Sequence, residues 1–89
     1  MQKQSLNKIK EIFVEVLKLQ NEEYTDSLSY LDYDPWDSVT HMKIVAKIEQ
    51  AFDIEFEMRD IIAMETVAKV KEIVAKLLSD LSNIIRYPI

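Results

Sequence analysis

The sequence predicts an all-α fold: a four-helix bundle of three long helices and one short third helix, with a long loop between helices 1 and 2. Three observations carry that expectation. Apolar residues recur at spacings of three and four in three separate segments, the period of a helix with one buried stripe. Hydrophobic residues make up 48% of the chain and charged residues 30%, a globular balance rather than a disordered one. At 89 residues there is room for one core and no second, so residues 1–89 are expected to form a single domain.

Helix 1 is expected over about residues 3–19, where Leu6, Ile9, Phe13, Val16 and Leu17 form the stripe and Ile12 and Val14 lie beside it. Ser5 or Asn7 is its candidate cap. The loop, residues 20–36, is rich in acids and hydroxyls and longer than most helix connections. Tyr24, Tyr30, Leu31 and Tyr33 are its expected anchors. Helix 2 is expected over about 37–52, with a broad apolar face of Val39, Met42, Ile44, Val45, Ile48 and Phe52. Pro35 biases Asp34 away from helical geometry, and Asp37 can accept the orphan backbone donors of the first turn. Residues 53–57 alternate polar and apolar but are too few for a sheet, and read as an extended linker into a short helix over about 58–64. Thr66 should cap the last helix, about 66–85, whose apolar positions are Val67, Val70, Ile73, Val74, Leu77, Leu78 and Leu81, with Ile84 and Ile85 continuing it before Pro88.

Several function classes fall away at once. No cysteine is present, which excludes disulfides and thiolate metal sites. No glycine is present either, so phosphate-cradling loops, dinucleotide fingerprints and Gly-flanked nucleophile elbows are absent. No window approaches the roughly 20 apolar residues of a spanning helix, and a soluble cytoplasmic protein without membrane insertion is the expectation. The net charge of -5 is uneven: residues 22–65 carry -9, and the segments on either side carry +2 each. An acidic centre is the opposite of a nucleic-acid footprint and suits a basic partner surface.

The question then turns on Ser38. Taken alone, Asp-Ser at a helix start is ordinary capping chemistry. A hydrolase reading pairs Ser38 with His41, three residues on, but helical side-chain directions align the two poorly and no Gly-lined oxyanion turn exists. His41 reads instead as a surface or half-buried residue packing near the cap. A helix N-terminus does suit a phosphate ester, because its free N–H groups and dipole favour negative charge. A first-turn hydroxyl is also within reach of another enzyme, and Asp37 beside it can help hold Mg²⁺ during phosphoryl transfer.

The ordered run Trp36-Asp37-Ser38-Val39, Met42, Ile44-Val45, Ile48-Glu49, Phe52-Asp53-Ile54-Glu55-Phe56, Asp60-Ile61 and Thr66-Val67 resembles the acyl carrier protein family. That family shows Asp-Ser-Leu opening the second helix, Leu-Glu before a Phe, an Asp in the third helix and Thr-Val opening the fourth. The resemblance implies an acyl-carrier-like bundle without catalytic residues of its own. In it, Ser38 accepts 4'-phosphopantetheine covalently from coenzyme A, Asp37 assists the Mg-dependent transfer, and the arm thiol carries acyl groups as thioesters. A chain without cysteine needs such an added thiol. Magnesium is then transient, with no stable metal site. The implied partners are a phosphopantetheinyl transferase, an acyl- or aminoacyl-loading ligase or transferase, and a downstream synthase or transferase, met by a carrier expected to be monomeric. The expected docking residues are Trp36, Val39, Met42, Lys43, Lys47, Glu49, Asp60 and Ile61.

The chain departs from the family pattern in places. Val39 stands where Leu is usual, and Trp36 precedes the Asp-Ser pair. Trp36 reads first as an anchor for the loop end and second as a border of the arm or a docking patch. Met42, Met58 and Met64 read as core packing rather than as the lining of an adaptable cavity. Lys43 and Lys47 interrupt a helix that is strongly acidic in fatty-acid carriers, which points to a specialised pathway rather than the primary fatty-acid one. An aminoacyl or D-alanyl carrier shares the attachment chemistry, and an unmodified carrier-like interaction module is the remaining alternative.

Overall fold

A computed structural model describes the backbone of residues 2–86 and side chains as far as residue 79. Helix α1 spans Lys3–Leu17, α2 Ser38–Phe52, α3 Met58–Ala63 and α4 Val67–Arg86. Among the described residues there is no strand, only a single bridge between Ser29 and Thr66. The all-α expectation, with three long helices and a short third one, holds. The packing expected of Leu81, Ile84 and Ile85 lies outside the described side chains.

The core forms where the stripes of α1, α2 and α4 meet. Ile9 and Phe13 from α1, Ile44 and Ile48 from α2, and Val67, Val70 and Val74 from α4 are fully buried. At about 1.5–3 kcal/mol for each large apolar side chain taken out of water, this cluster dominates the folding free energy. Trp36, at the end of the loop, is buried with them at 1% exposure, its ring edge-on to Phe13 with centroids 5.1 Å apart.

Without glycine, two helices still end in left-handed caps. Lys18 closes α1 at φ 55° and Asp53 closes α2 at φ 55°, with their N–H groups bonded to the carbonyls of Val14 and Glu49. A non-glycine residue accepts about 1–2 kcal/mol of strain there, and Asp is among the types that tolerate it. Helix 1 therefore stops two residues short of the expected end. Neither Ser5 nor Asn7 caps it: Gln2 takes that place without a side-chain bond.

The long loop is stitched to the α3–α4 junction. Tyr30 N–H donates to the Glu65 carbonyl at 2.9 Å, Val67 N–H to Leu28 at 3.1 Å, and Ala68 N–H to Asp26 at 3.0 Å. Lys71 adds an ion pair to Asp26 at 2.6 Å. Tyr24, Tyr30 and Tyr33 pack on the core as expected. Burial, with the charge of Asp26 second, pushes the Tyr24 hydroxyl up to about 12. Leu31 is a correction: it is 76% exposed and anchors nothing. Thr66 caps α4 by accepting from Lys69 N–H at 3.1 Å, as the sequence predicts.

Candidate functional site

Helix α2 begins with a reciprocal cap. Asp37 Oδ1 accepts from Thr40 N–H at 2.9 Å, and Thr40 Oγ1 accepts from Asp37 N–H at 2.9 Å while donating to the Pro35 carbonyl at 2.8 Å. Bonding from the Thr40 N–H, with lesser help from its hydroxyl and from neighbouring N–H groups, holds the Asp37 carboxyl below its ordinary value of 3.8. Ser38 follows, exposed, as the first residue of the helix.

Behind Ser38 lies a hydrogen-bonded chain that the sequence does not announce. Trp36 Nε1–H donates to His41 Nδ1 at 2.9 Å, and His41 Nε2 lies 2.9 Å from the Ile61 carbonyl. An indole nitrogen only donates, so Nδ1 is the acceptor and the proton sits on Nε2, which donates to Ile61. His41 is buried, with 8% exposure, which corrects its placement near the surface. Trp36 is likewise removed from any docking surface.

Beside this chain opens a mostly apolar pocket of about 250 Å³. Ser38, His41 and Met42 of α2 line one side and Ile61 and Ile62 of α3 the other, with Met64 and Tyr30 completing it. Met42 and Met64 thus line a cavity, contrary to the core-only expectation, whereas Met58 is 67% exposed and belongs to neither. A larger, open concavity of about 680 Å³ sits at the far end of α2 among Glu49, Asp53 and Glu55. Its polar lining and its separation from Ser38, about 20 Å along the helix, set it apart from the site.

The remaining candidates scatter. Val39 and Met42 are exposed on the outer side of α2, and Lys43 lies exposed beside them. Lys47 reaches across to Glu15 of α1 at 3.2 Å. Glu49 Oε2 accepts from Phe56 N–H at 2.9 Å and braces the linker. Asp60 accepts from Glu57 N–H at 3.1 Å and caps α3. Ile61 is half-buried in the pocket wall. Thr40, Ile62 and Tyr30 join the site without a chemical signal in the sequence, although Thr40, three residues after Asp37, stands where a capping-box partner belongs.

An exposed hydroxyl at a helix N-terminus, next to an apolar pocket, fits a phosphate-linked arm carrying an apolar load. The family described as a phosphopantetheine attachment site matches residues 7–74. The chain belongs to that family. It is a carrier protein that bears phosphopantetheine covalently on a serine, and it is a substrate of phosphopantetheinyl transferases rather than a catalyst. When attached, the group supplies a thiol that holds cargo as a thioester. No curated protein matches the chain. Among the described residues no helix is long and apolar enough to cross a membrane.

Two outcomes test this geometry. His41→Ala leaves the Trp36 N–H without a partner, costing about 1–3 kcal/mol, while the Ile61 carbonyl keeps the 3.4 Å bond from Met64 N–H. Urea unfolding should show a loss of about 1–3 kcal/mol, largely restored in His41→Gln, whose amide both accepts and donates. For Asp37 the sign follows from a folded value lying below the unfolded one. The stabilisation is present above pH 3.8 and lost as pH falls through the depressed folded value. The stability gap between wild type and Asp37→Asn should therefore be flat near neutrality and close below pH 3.8.

Proposed function

We propose that Ser38 is the serine that accepts the arm and that Asp37 assists its transfer. The matched span contains three serines. Ser27 shares a hydrogen bond with Thr25 at 3.2 Å. Ser29 is half-buried in the bridge to Thr66, and its hydroxyl accepts from Leu31 N–H at 3.2 Å. The observation that carries the reading is that Ser38 alone combines exposure, the first turn of a long helix and the rim of an apolar pocket. In the transfer, Ser38 Oγ gains a bond to the pantetheine-side phosphorus of coenzyme A. The phosphoanhydride bond to 3',5'-ADP breaks, and the hydroxyl proton passes to a base on the transferase. Asp37, kept ionised by its cap, is suited to help hold the Mg²⁺ that neutralises the phosphates. Incubation with coenzyme A, Mg²⁺ and a broad transferase should add one arm to the wild type, none to Ser38→Ala, and add it slowly to Asp37→Ala. Full addition to Ser38→Ala would move the site elsewhere.

The pathway is read from charge. Helix α2 carries Lys43 and Lys47 against Glu49, whose carboxylate is engaged with Phe56. A surface of Val39, Met42 and Lys43 suits a partner that is apolar with acidic groups nearby, and it disfavours the basic partners of fatty-acid carriers. This supports a carrier of a specialised pathway. The small pocket also accommodates the second reading, an aminoacyl or D-alanyl carrier, by the same attachment chemistry. The two lysines differ in their expected effect, since Lys47 is partly neutralised by Glu15. Lys43→Glu should raise the condensation rate with a fatty-acid ketosynthase, most at ~10 mM salt, where the Debye length is about 30 Å. Lys47→Glu should change that rate less and cost about 0–1 kcal/mol of stability. Equal rates for wild type and Lys43→Glu at every salt concentration would remove the charge argument.

A further inference from the structure

We infer that Thr40 is a positioning residue for arm transfer. Its hydroxyl, tied at once to the Asp37 N–H and the Pro35 carbonyl, holds Asp37 so that one carboxylate oxygen serves the helix and the other is left for the transferase's Mg²⁺. The inference rests on Ser38 bearing the arm and on Asp37 assisting its transfer.

Asp37 has two tasks that compete for one side chain. As the cap of α2 it has to accept a first-turn N–H, and as a magnesium partner it has to offer an oxygen to the metal. A carboxylate free to cap with either oxygen serves the second task poorly. Here the cap engages Oδ1, which accepts from Thr40 N–H at 2.9 Å, and Oδ2 is the freer oxygen. The Thr40 hydroxyl fixes the backbone from which that carboxylate projects. Its Oγ1 accepts from Asp37 N–H at 2.9 Å. Its single proton has three acceptors within reach, the Asp37 carbonyl and Oδ1 at 3.2 Å and the Pro35 carbonyl, the nearest, at 2.8 Å. One hydroxyl thus spans residues 35 and 37. Trp36 between them is held by its buried indole and by its N–H on the Tyr33 carbonyl at 2.9 Å. Every residue leading into Ser38 is therefore tied down, and Asp37 turns only about its own side-chain bonds. Threonine suits the task better than serine, because its branched Cβ restricts χ1. Thr40 has no other evident duty, since it belongs neither to the buried core nor to the lining of the apolar pocket. A misplacement of about 1 Å can slow a positioned reaction roughly a hundredfold, so loosening this segment should cost roughly tenfold.

The test follows arm addition to the full chain from coenzyme A with a broad transferase, over a range of Mg²⁺ concentrations, and locates the arm by mass spectrometry. Thr40→Val keeps the shape of the side chain and removes the hydroxyl, whereas Thr40→Ser keeps the hydroxyl. Thr40→Val should lower kcat/KM for the carrier roughly tenfold and raise the Mg²⁺ concentration needed for half the maximal rate. Thr40→Ser should recover most of both. Hydrogen exchange at the Asp37 amide should be slow in the wild type and Thr40→Ser and fast in Thr40→Val. In the Asp37→Ala background, adding Thr40→Val should cost nothing further, because a residue that acts through Asp37 then has nothing to position. Thr40→Ala, which favours the helix, repeats each measurement, so a folding defect peculiar to valine does not decide the result. If Asp37→Ala is slow while Thr40→Val matches the wild type in rate and Mg²⁺ dependence, the inference is overturned and the attachment reading stands. A further loss on adding Thr40→Val to Asp37→Ala also overturns it, since the hydroxyl then acts on docking or on the fold. Asp37→Ala as fast as the wild type, or arm addition at a residue other than Ser38, overturns the proposed function and this inference with it.

Discussion

The hydrogen bond from the Trp36 indole to His41 is the constraint around which the site end of the molecule is arranged. Burying a tryptophan supplies the largest single apolar contribution available to a small core, but it carries an N–H that needs an acceptor. His41 meets that need and uses its remaining proton on the Ile61 carbonyl. With His41 turned inward, the phase of α2 is set: Ile44, Val45 and Ile48 follow it into the core, and Val39, Met42 and Lys43 are left outside. The same bond reaches α3, a helix of six residues with no buried side chain of its own. Too short to be stable alone, α3 is held by its Glu57–Asp60 cap, by His41 and by the residues on either side of it, Phe56 and Met64, which are buried.

How far the sequence reveals this arrangement depends on which signal each residue emits. The stripes of α1, α2 and α4 are legible because apolar spacing is read by counting. Asp37 is legible as a cap and Thr66 likewise, because side-chain oxygens before a periodic run have few other uses. His41 is not legible: a polar residue inside an apolar stripe is scored as an interruption, and only its two partners, five and twenty residues away, show that it belongs there. Leu31 fails in the opposite direction, since an isolated apolar residue in a loop carries no information about which way it points.

The lysines of α2 show a different limit. Lys43 and Lys47 are one turn apart and look equivalent on a single helix. Packing α1 alongside separates them, because Glu15 lies opposite Lys47 and not opposite Lys43. Glu49 and Asp60, read as docking charges, are likewise occupied with backbone N–H groups. Much of the apparent surface charge is therefore committed to internal bracing, and the part left for a partner is smaller and less acidic than the composition implies.

The site divides its work between groups the fold needs and one that it does not. Asp37, Thr40 and His41 each accept from donors that would otherwise be orphaned, the Trp36 indole N–H among them, while Ser38 stands beside them exposed and outside that network. An arm on Ser38, as proposed, can therefore move between partners without disturbing the cap. The pocket is different, for His41, Ile61 and Met64 belong to it and to the fold at once. Whatever enters it acts on the contacts that secure α3, and whatever loosens α3 changes the pocket. With the arm on Ser38, as proposed, attachment is uncoupled from the contacts that hold the fold, whereas occupancy of the pocket is coupled to them, and the boundary between the two runs through the first turn of α2.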